Sequence, residues 1–123
     1  MKRLFITTNE FWNLWVSIGF NDEDIRCLED ELIERPDAGK VIPGTGGLRK
    51  LRWQRKGMGK RSGIRVLYVD FLKYEQLHFI SLIKKSEKEN ISITDKKTIS
   101  NLIKKIEKKL ERKYNEKFKN KKK

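Results

Sequence analysis

The sequence predicts an α+β domain, in which an N-terminal strand and two helices pack on a small antiparallel sheet and a C-terminal helix closes the fold. Three observations carry this. Phe11, Leu14, Trp15 and Ile18 recur at helical spacing near the N-terminus. From Leu48 the pattern switches to alternation and is followed by two β-prone runs, Ile64 to Phe71 and Leu77 to Ile83. Ile99, Leu102, Ile103, Ile106 and Leu110 then form a second helical stripe.

Arg3 to Thr8 is short, apolar and β-prone, and reads as the opening strand. The Phe11–Ile18 stripe is the first helix, and Gly19 ends it. Asn21 is a good N-cap for the second helix, with Asp22, Glu23 and Asp24 in the first turn, where the helix dipole favours acids. Ile25, Leu28 and Leu32 are its buried face, and Pro36 stops it because the residue before proline disfavours helix. Residues 36–47 are dense in glycine and read as a loop. In the next strand Leu51 and Trp53 face one side, Lys50 and Arg52 the other. Residues 56–63 form a basic turn, and residues 71–75 the tight connection between two antiparallel strands. Ser92 or Thr94 caps the last helix, whose stripe fades beyond Leu110 into Tyr114 and Phe118, with disorder expected from Lys119. The chain therefore divides into one domain over residues 1–110 and a lysine-rich extension over 111–123.

A chain of 123 residues supports one hydrophobic core's worth of domain. Its longest apolar runs fall well short of the ~20 residues that span a bilayer. Polar Thr7-Thr8-Asn9-Glu10 interrupts any signal-peptide-like start, so a cytoplasmic protein without a membrane partner is expected. A lone Cys27 among Glu29, Asp30 and Glu31 forms no internal disulfide and lacks the basic setting of a reactive thiol. The net charge is +13, but it is unevenly placed. Residues 1–35 carry 4 basic and 8 acidic residues, residues 48–65 carry 8 basic residues and no acid, and residues 104–123 carry 11 basic residues against 3 acids. Such basic blocks attract polyanions.

The stretch 48–65 holds the chemistry. Lys50 and Arg52 share a solvent-facing side, Gly57, Gly59 and Gly63 allow close approach of a phosphate chain, and Arg61 and Arg65 can fork onto phosphate oxygens. The plain alternative is a solubilising hairpin, which ordinarily mixes charge signs. No metal site is expected: the carboxylates cluster on the N-terminal helices, and there is neither a histidine pair nor a cysteine pair. Gly44-Thr45-Gly46-Gly47 lacks the Gly-Lys-Ser/Thr ending of a nucleotide-binding loop. His78 is the only histidine, which excludes a two-histidine ribonuclease mechanism and leaves it a structural role in a strand. Trp12 and Trp15 read as core.

Two stretches resemble the HigB-type toxins of the RelE/ParE superfamily, from type II toxin–antitoxin systems. The run Gly39-Lys40-Val41-Ile42-Pro43-Gly44-Thr45-Gly46-Gly47-Leu48-Arg49-Lys50-Leu51-Arg52 is similar to the family's G-x-x-I-x-G-T-G-G-L-R-K-x-R, and residues 56–68 to its K-G-x-G-K-R-G-G-x-R-x-x-Y. The similarity covers roughly Leu4 to Leu110. It implies a RelE-like fold and a ribosome-dependent mRNA endonuclease without metal or small-molecule cofactor. In that chemistry the 2′-hydroxyl attacks the adjacent phosphate and cations stabilise the transition state. The implied partners are a cognate antitoxin, the ribosome and mRNA. By position, Arg65, Lys60 and Lys85 are the implied catalytic residues. Arg65 stabilises the transition state, and Lys85 matches the cation of the family's Tyr-x-Lys. Lys50, Arg52, Lys56, Arg61 and Lys84 are the implied RNA-binding set. Two departures stand out: Ser62 replaces a glycine, and Ile83 stands where many relatives have tyrosine, leaving Tyr68 and Tyr74 as possible substitutes. The alternatives are a non-catalytic RNA- or ribosome-binding relative and a ParE-like gyrase poison.

Overall fold

The computed structural model describes residues 2–55, 63–84 and 92–121, with side chains in the last segment described to Lys117. Five strands form one sheet: β1 (Leu4–Thr7), β2 (Lys40–Val41), β3 (Arg49–Trp53), β4 (Ile64–Phe71) and β5 (Gln76–Lys84), ordered β1-β5-β4-β3-β2. Helices α1 (Asn9–Ile18) and α2 (Asp22–Glu34) follow β1, and α3 (Ile93–Lys121) closes the chain. This is the expected α+β fold, with two differences in the sheet. The edge strand β1 runs parallel to β5, so the sheet is mixed, and β2 lies inside the segment expected to be loop. Strand β2 is two residues long, too short to show a period.

Local chemistry sets the helix ends. Thr8 Oγ1 accepts from the Phe11 N–H at 3.0 Å to start α1. Gly19, at φ 101°, ends it by donating to the carbonyls of Trp15 and Val16. Asn21 and Asp24 form a reciprocal capping box at α2. Ser92, one of the two caps proposed from sequence, accepts from the Asp95 N–H at 3.1 Å. The backbone of α3 stays helical to Lys121, past the expected fraying point at Lys119.

The sheet has a core on each face. Phe11, Trp15, Leu28 and Leu32 of α1 and α2 pack on Trp53, Ile64, Val66, Tyr68, Leu77 and Phe79. Stacking of Phe11 on Phe79 at 4.9 Å and Trp15 against Trp53 at 5.4 Å builds this layer. On the other face Leu48, Leu67, Val69, Phe71 and Ile80 receive Ile99, Ile103, Ile106 and Leu110 of α3. Each fully buried apolar side chain contributes about 1.5–3 kcal/mol. The β4 residues alternate strictly between the two cores, which is why nearly every one of them is buried. On β5 the alternation slips at a bulge: Leu67 pairs with Ser81 and Tyr68 with Phe79, leaving Ile80 without a partner. The bulge lets both Phe79 and Leu82 face the α1–α2 core while Ile80 and Ile83 face α3.

Candidate nucleic-acid interface

Register places the cations of β3. Lys50 lies opposite Leu67, a residue of the α3-side core, and Arg52 lies opposite Arg65. Arg65 in turn lies opposite Ile83, which packs at the edge of the same core. Lys50, Arg52 and Arg65 therefore share the α3-side face of the sheet, as the alternation at Leu51 and Trp53 predicts. Lys40 joins them, since β2 pairs it with Lys50. Directly opposed residues have Cβ atoms about 4.5–5.5 Å apart, and like charges so placed repel. No described strand residue on this face is acidic, because Asp70 turns the other way to pair with Arg3 at 2.8 Å. That partnership holds the Arg3 guanidinium more firmly in its charged form. Arg52 is exposed, Lys50 half-buried and Arg65 only 9% exposed. The face thus runs from a solvent-facing guanidinium to a sunken one.

The remaining predicted site residues fall elsewhere. Lys84 is exposed but lies opposite Ile64, which belongs to the α1–α2 core, so its side chain is on the other face from Lys50, Arg52 and Arg65. Lys56, Lys60, Arg61 and Lys85 lie outside the described residues. Two of the basic residues in 48–65 have local work. Arg55 bonds Asp24 of α2 at 2.8 Å, and Arg49 Nη1 donates to the Gly39 carbonyl at 2.7 Å. The basic block is therefore partly structural. Lys40 escaped sequence reasoning because a two-residue edge strand leaves no pattern.

The tyrosine question has a geometric answer. Tyr68 is fully buried, and its hydroxyl donates to the Pro36 carbonyl at 2.7 Å and accepts from the Gly39 N–H at 2.9 Å. It locks the chain leading into β2 and is not available to a substrate. Tyr74 sits in the turn after β4, at the opposite end of β5 from Ile83. Neither replaces the tyrosine missing at position 83. His78 contacts Gln76 at 2.9 Å and meets Phe71 edge-on, and burial pushes its imidazole pKa down. This matches the structural role expected for it. Cys27 is exposed on α2. Among the described residues, no three His, Cys, Asp or Glu side chains gather as metal ligands, and no helix is long and apolar enough to cross a membrane.

The glycine motif before β3 supports the site. Gly44, Gly46 and Gly47 all have positive φ. Between them Thr45 is fully buried, its Oγ1 donating to the Ile42 carbonyl and accepting from the Leu48 N–H. A Cβ on Gly46 would meet Ser100 Oγ of α3 at 3.4 Å. The loop is a compact clasp between β2, β3 and α3, and its glycines serve backbone geometry.

The comparisons with known proteins agree with this architecture. Residues 30–122, more than half of the chain, match the family model described as the RelE toxin of the RelE/RelB toxin–antitoxin system. A free-state structure of an arginine-to-alanine double mutant of the E. coli toxin RelE superposes with a TM-score of 0.50 at 18% identity, covering 70% of this chain and 86% of that one. The intact E. coli RelBE toxin–antitoxin complex gives a TM-score of 0.50 at 18% identity, covering 69% of this chain and 99% of the matched one. At that identity the two structures speak for the fold, and the family match speaks for membership: the chain belongs to the RelE toxin family.

Proposed function

We propose that this toxin is a ribosome-dependent mRNA endonuclease of the HigB type, acting without metal. The observation that carries the reading is the convergence of Lys50, Arg52 and Arg65 on one sheet face whose described strand residues include no carboxylate. Cleavage by transesterification needs few protein groups. The 2′-oxygen forms a bond to phosphorus, the bond from phosphorus to the 5′-oxygen breaks, and the products are a 2′,3′-cyclic phosphate and a 5′-hydroxyl. The proton lost from the 2′-hydroxyl is balanced by one gained at the 5′-oxygen. Negative charge builds on the phosphoryl oxygens meanwhile, and fixed cations stabilise it. Arg65, sunken on β4, suits that role, since a guanidinium in low dielectric acts more strongly than one in water. Arg52 and Lys50 suit the flanking phosphates. Lys60 and Lys85 complete the proposed catalytic set, with Lys56, Arg61 and Lys84 as further RNA contacts. Lys84, on the opposite face, serves the ribosome rather than the scissile strand.

The described strand residues of the face include no carboxylate to serve as general base, and His78, opposite Val69 on the same face, is packed against Phe71 and bonded to Gln76 at the other end of β5. Positioning of the message in the ribosome therefore supplies much of the barrier reduction. A cognate antitoxin is the proposed inhibitor, as the RelBE pairing suggests, and the cytoplasm, where ribosomes are, is the proposed site of action. Induction in growing cells, followed by mapping of 5′-hydroxyl mRNA ends, tests the reading. Growth arrest with new in-frame cut sites, both lost in Arg52→Ala, is the expected result. Arrest without cuts would favour a binding-only relative, and arrest with trapped gyrase cleavage complexes a ParE-like one.

A further inference from the structure

At the far end of the sheet from Arg52 and Arg65 lies a cleft with a volume of about 800 Å3. Its walls are the start of β1, the turn after β4 and the second half of α3. Lys2, Lys73, Lys113 and Lys117 line it, and none of them has a carboxylate partner among the described residues. Arg3 is paired with Asp70, and Glu75, the one carboxylate among the lining residues, also acts on Arg3 through its charge. Two tyrosines form an aromatic corner: Tyr74 meets Tyr114 edge-to-face, with centroids 5.7 Å apart. The Lys73 ammonium lies 5.6 Å from one ring centre and 5.4 Å from the other.

We propose that this cleft binds a single-stranded RNA segment, one base against the Tyr74–Tyr114 corner and the adjoining phosphates on Lys73, Lys113 and Lys117. Three features favour RNA. The cleft is large enough for a nucleotide, and its walls alternate aromatic with cationic groups, the pairing that base and phosphate require. Lys113 and Lys117 sit at i, i+4 on one helix face, a like-charge spacing that disfavours the free helix and that a bound polyanion relieves. An acidic peptide would use the cations but has no need of the aromatic corner. The proposal concerns binding alone and does not rest on cleavage at the sheet face.

The test is fluorescence polarisation of a short, unstructured, labelled RNA with the full chain carrying Lys50→Gln and Arg52→Gln, which removes two of the four cations named on the sheet face. In that background Tyr74→Leu, which keeps apolar bulk, should weaken binding about five- to tenfold. Lys113→Gln with Lys117→Gln should flatten the log–log salt slope by roughly 0.7 for each lysine–phosphate pair removed. Lys73→Gln, at an exposed position, is a second probe should Tyr74→Leu lower the melting temperature. Unchanged affinity in folded Tyr74→Leu and Lys73→Gln would overturn the proposal. So would polyglutamate that binds as tightly as RNA and loses equally to Tyr74→Leu, since the cleft would then be an acidic-protein site. Loss of RNA affinity in these variants would uphold the cleft whatever wild type does to ribosome-bound message, and the endonuclease reading stands or falls separately on cleavage by the wild-type chain.

Discussion

Tyr68 and Gly39 are a coupled pair on which the edge of the sheet depends. A Cβ at Gly39 would come within 2.8 Å of Tyr68 Cε1 and 3.2 Å of Arg49 Cβ, so no other residue fits without displacing a fully buried ring. Gly39→Ala should therefore destabilise by about 1–3 kcal/mol, read by denaturant titration. Tyr68→Phe strips hydrogen bonds from the Pro36 carbonyl and the Gly39 N–H and should cost about 1–3 kcal/mol. Burial pushes the Tyr68 phenol pKa up. The folded state thus holds this proton more tightly than the unfolded state does. The associated stability is fully present below the ordinary phenol value, about 10, and is lost as pH rises through the folded value. Alkaline unfolding should accordingly be less steep in Tyr68→Phe, and an unchanged profile would show that the phenol contributes nothing to it. At the site, Arg52 is exposed and Arg65 is 9% exposed, so their substitutions should separate. Arg52→Ala should leave the melting temperature near wild type. Arg65→Lys keeps the charge but loses the fork and should sharply reduce cleavage while the protein remains folded.

Among the elements, α3 carries the clearest prediction. Its packing stripe extends past Leu110, because Tyr114 is half-buried against Tyr74. Deleting residues 115–123 should leave thermal stability nearly unchanged, whereas Tyr114→Ala should cost about 0.5–1.5 kcal/mol beyond its buried area. A large loss on the short truncation would place the domain boundary beyond Tyr114. This element also shows what the sequence makes legible. The stripe from Ile99 to Leu110 marks the buried side of α3, as the alternation at Leu51 and Trp53 marks that of β3. Caps at Asn21 and Ser92 and the stop at Gly19 are equally visible, because each depends on a side chain or glycine within a few residues. Long-range pairing is not so visible. The parallel β1–β5 contact joins residues some seventy positions apart and has no local signature. The bulge at Ile80 appears only against β4, and the face of Lys84 follows from that bulge. The cationic residue types on β3 are readable as a basic patch. The separation of Arg49 and Arg55 from it is not, because their partners Gly39 and Asp24 lie elsewhere in the chain.

Across the whole molecule, charge and layer order coincide. The α2 side carries a groove lined by Glu23, Asp24, Asp30, Glu31 and Glu34, while the α3 side carries Lys40, Lys50, Arg52 and Arg65 and the tyrosine cleft carries further lysines. A molecule of net charge +13 so divided orients in the field of an RNA-rich surface before contact. Ribosome association should therefore slow steeply with added salt, as measured by stopped-flow, and an insensitive rate would show that this division has no steering role. The most direct measurement of the central claim compares cleavage rates on one message, free and ribosome-bound, for wild type and Arg52→Ala. The expected result is rapid cutting of ribosome-bound message by wild type, little cutting of free message, and loss of both in folded Arg52→Ala. Equal rates on free and bound message, or undiminished cutting by Arg52→Ala, would contradict a sheet-face cation site that relies on the ribosome for positioning.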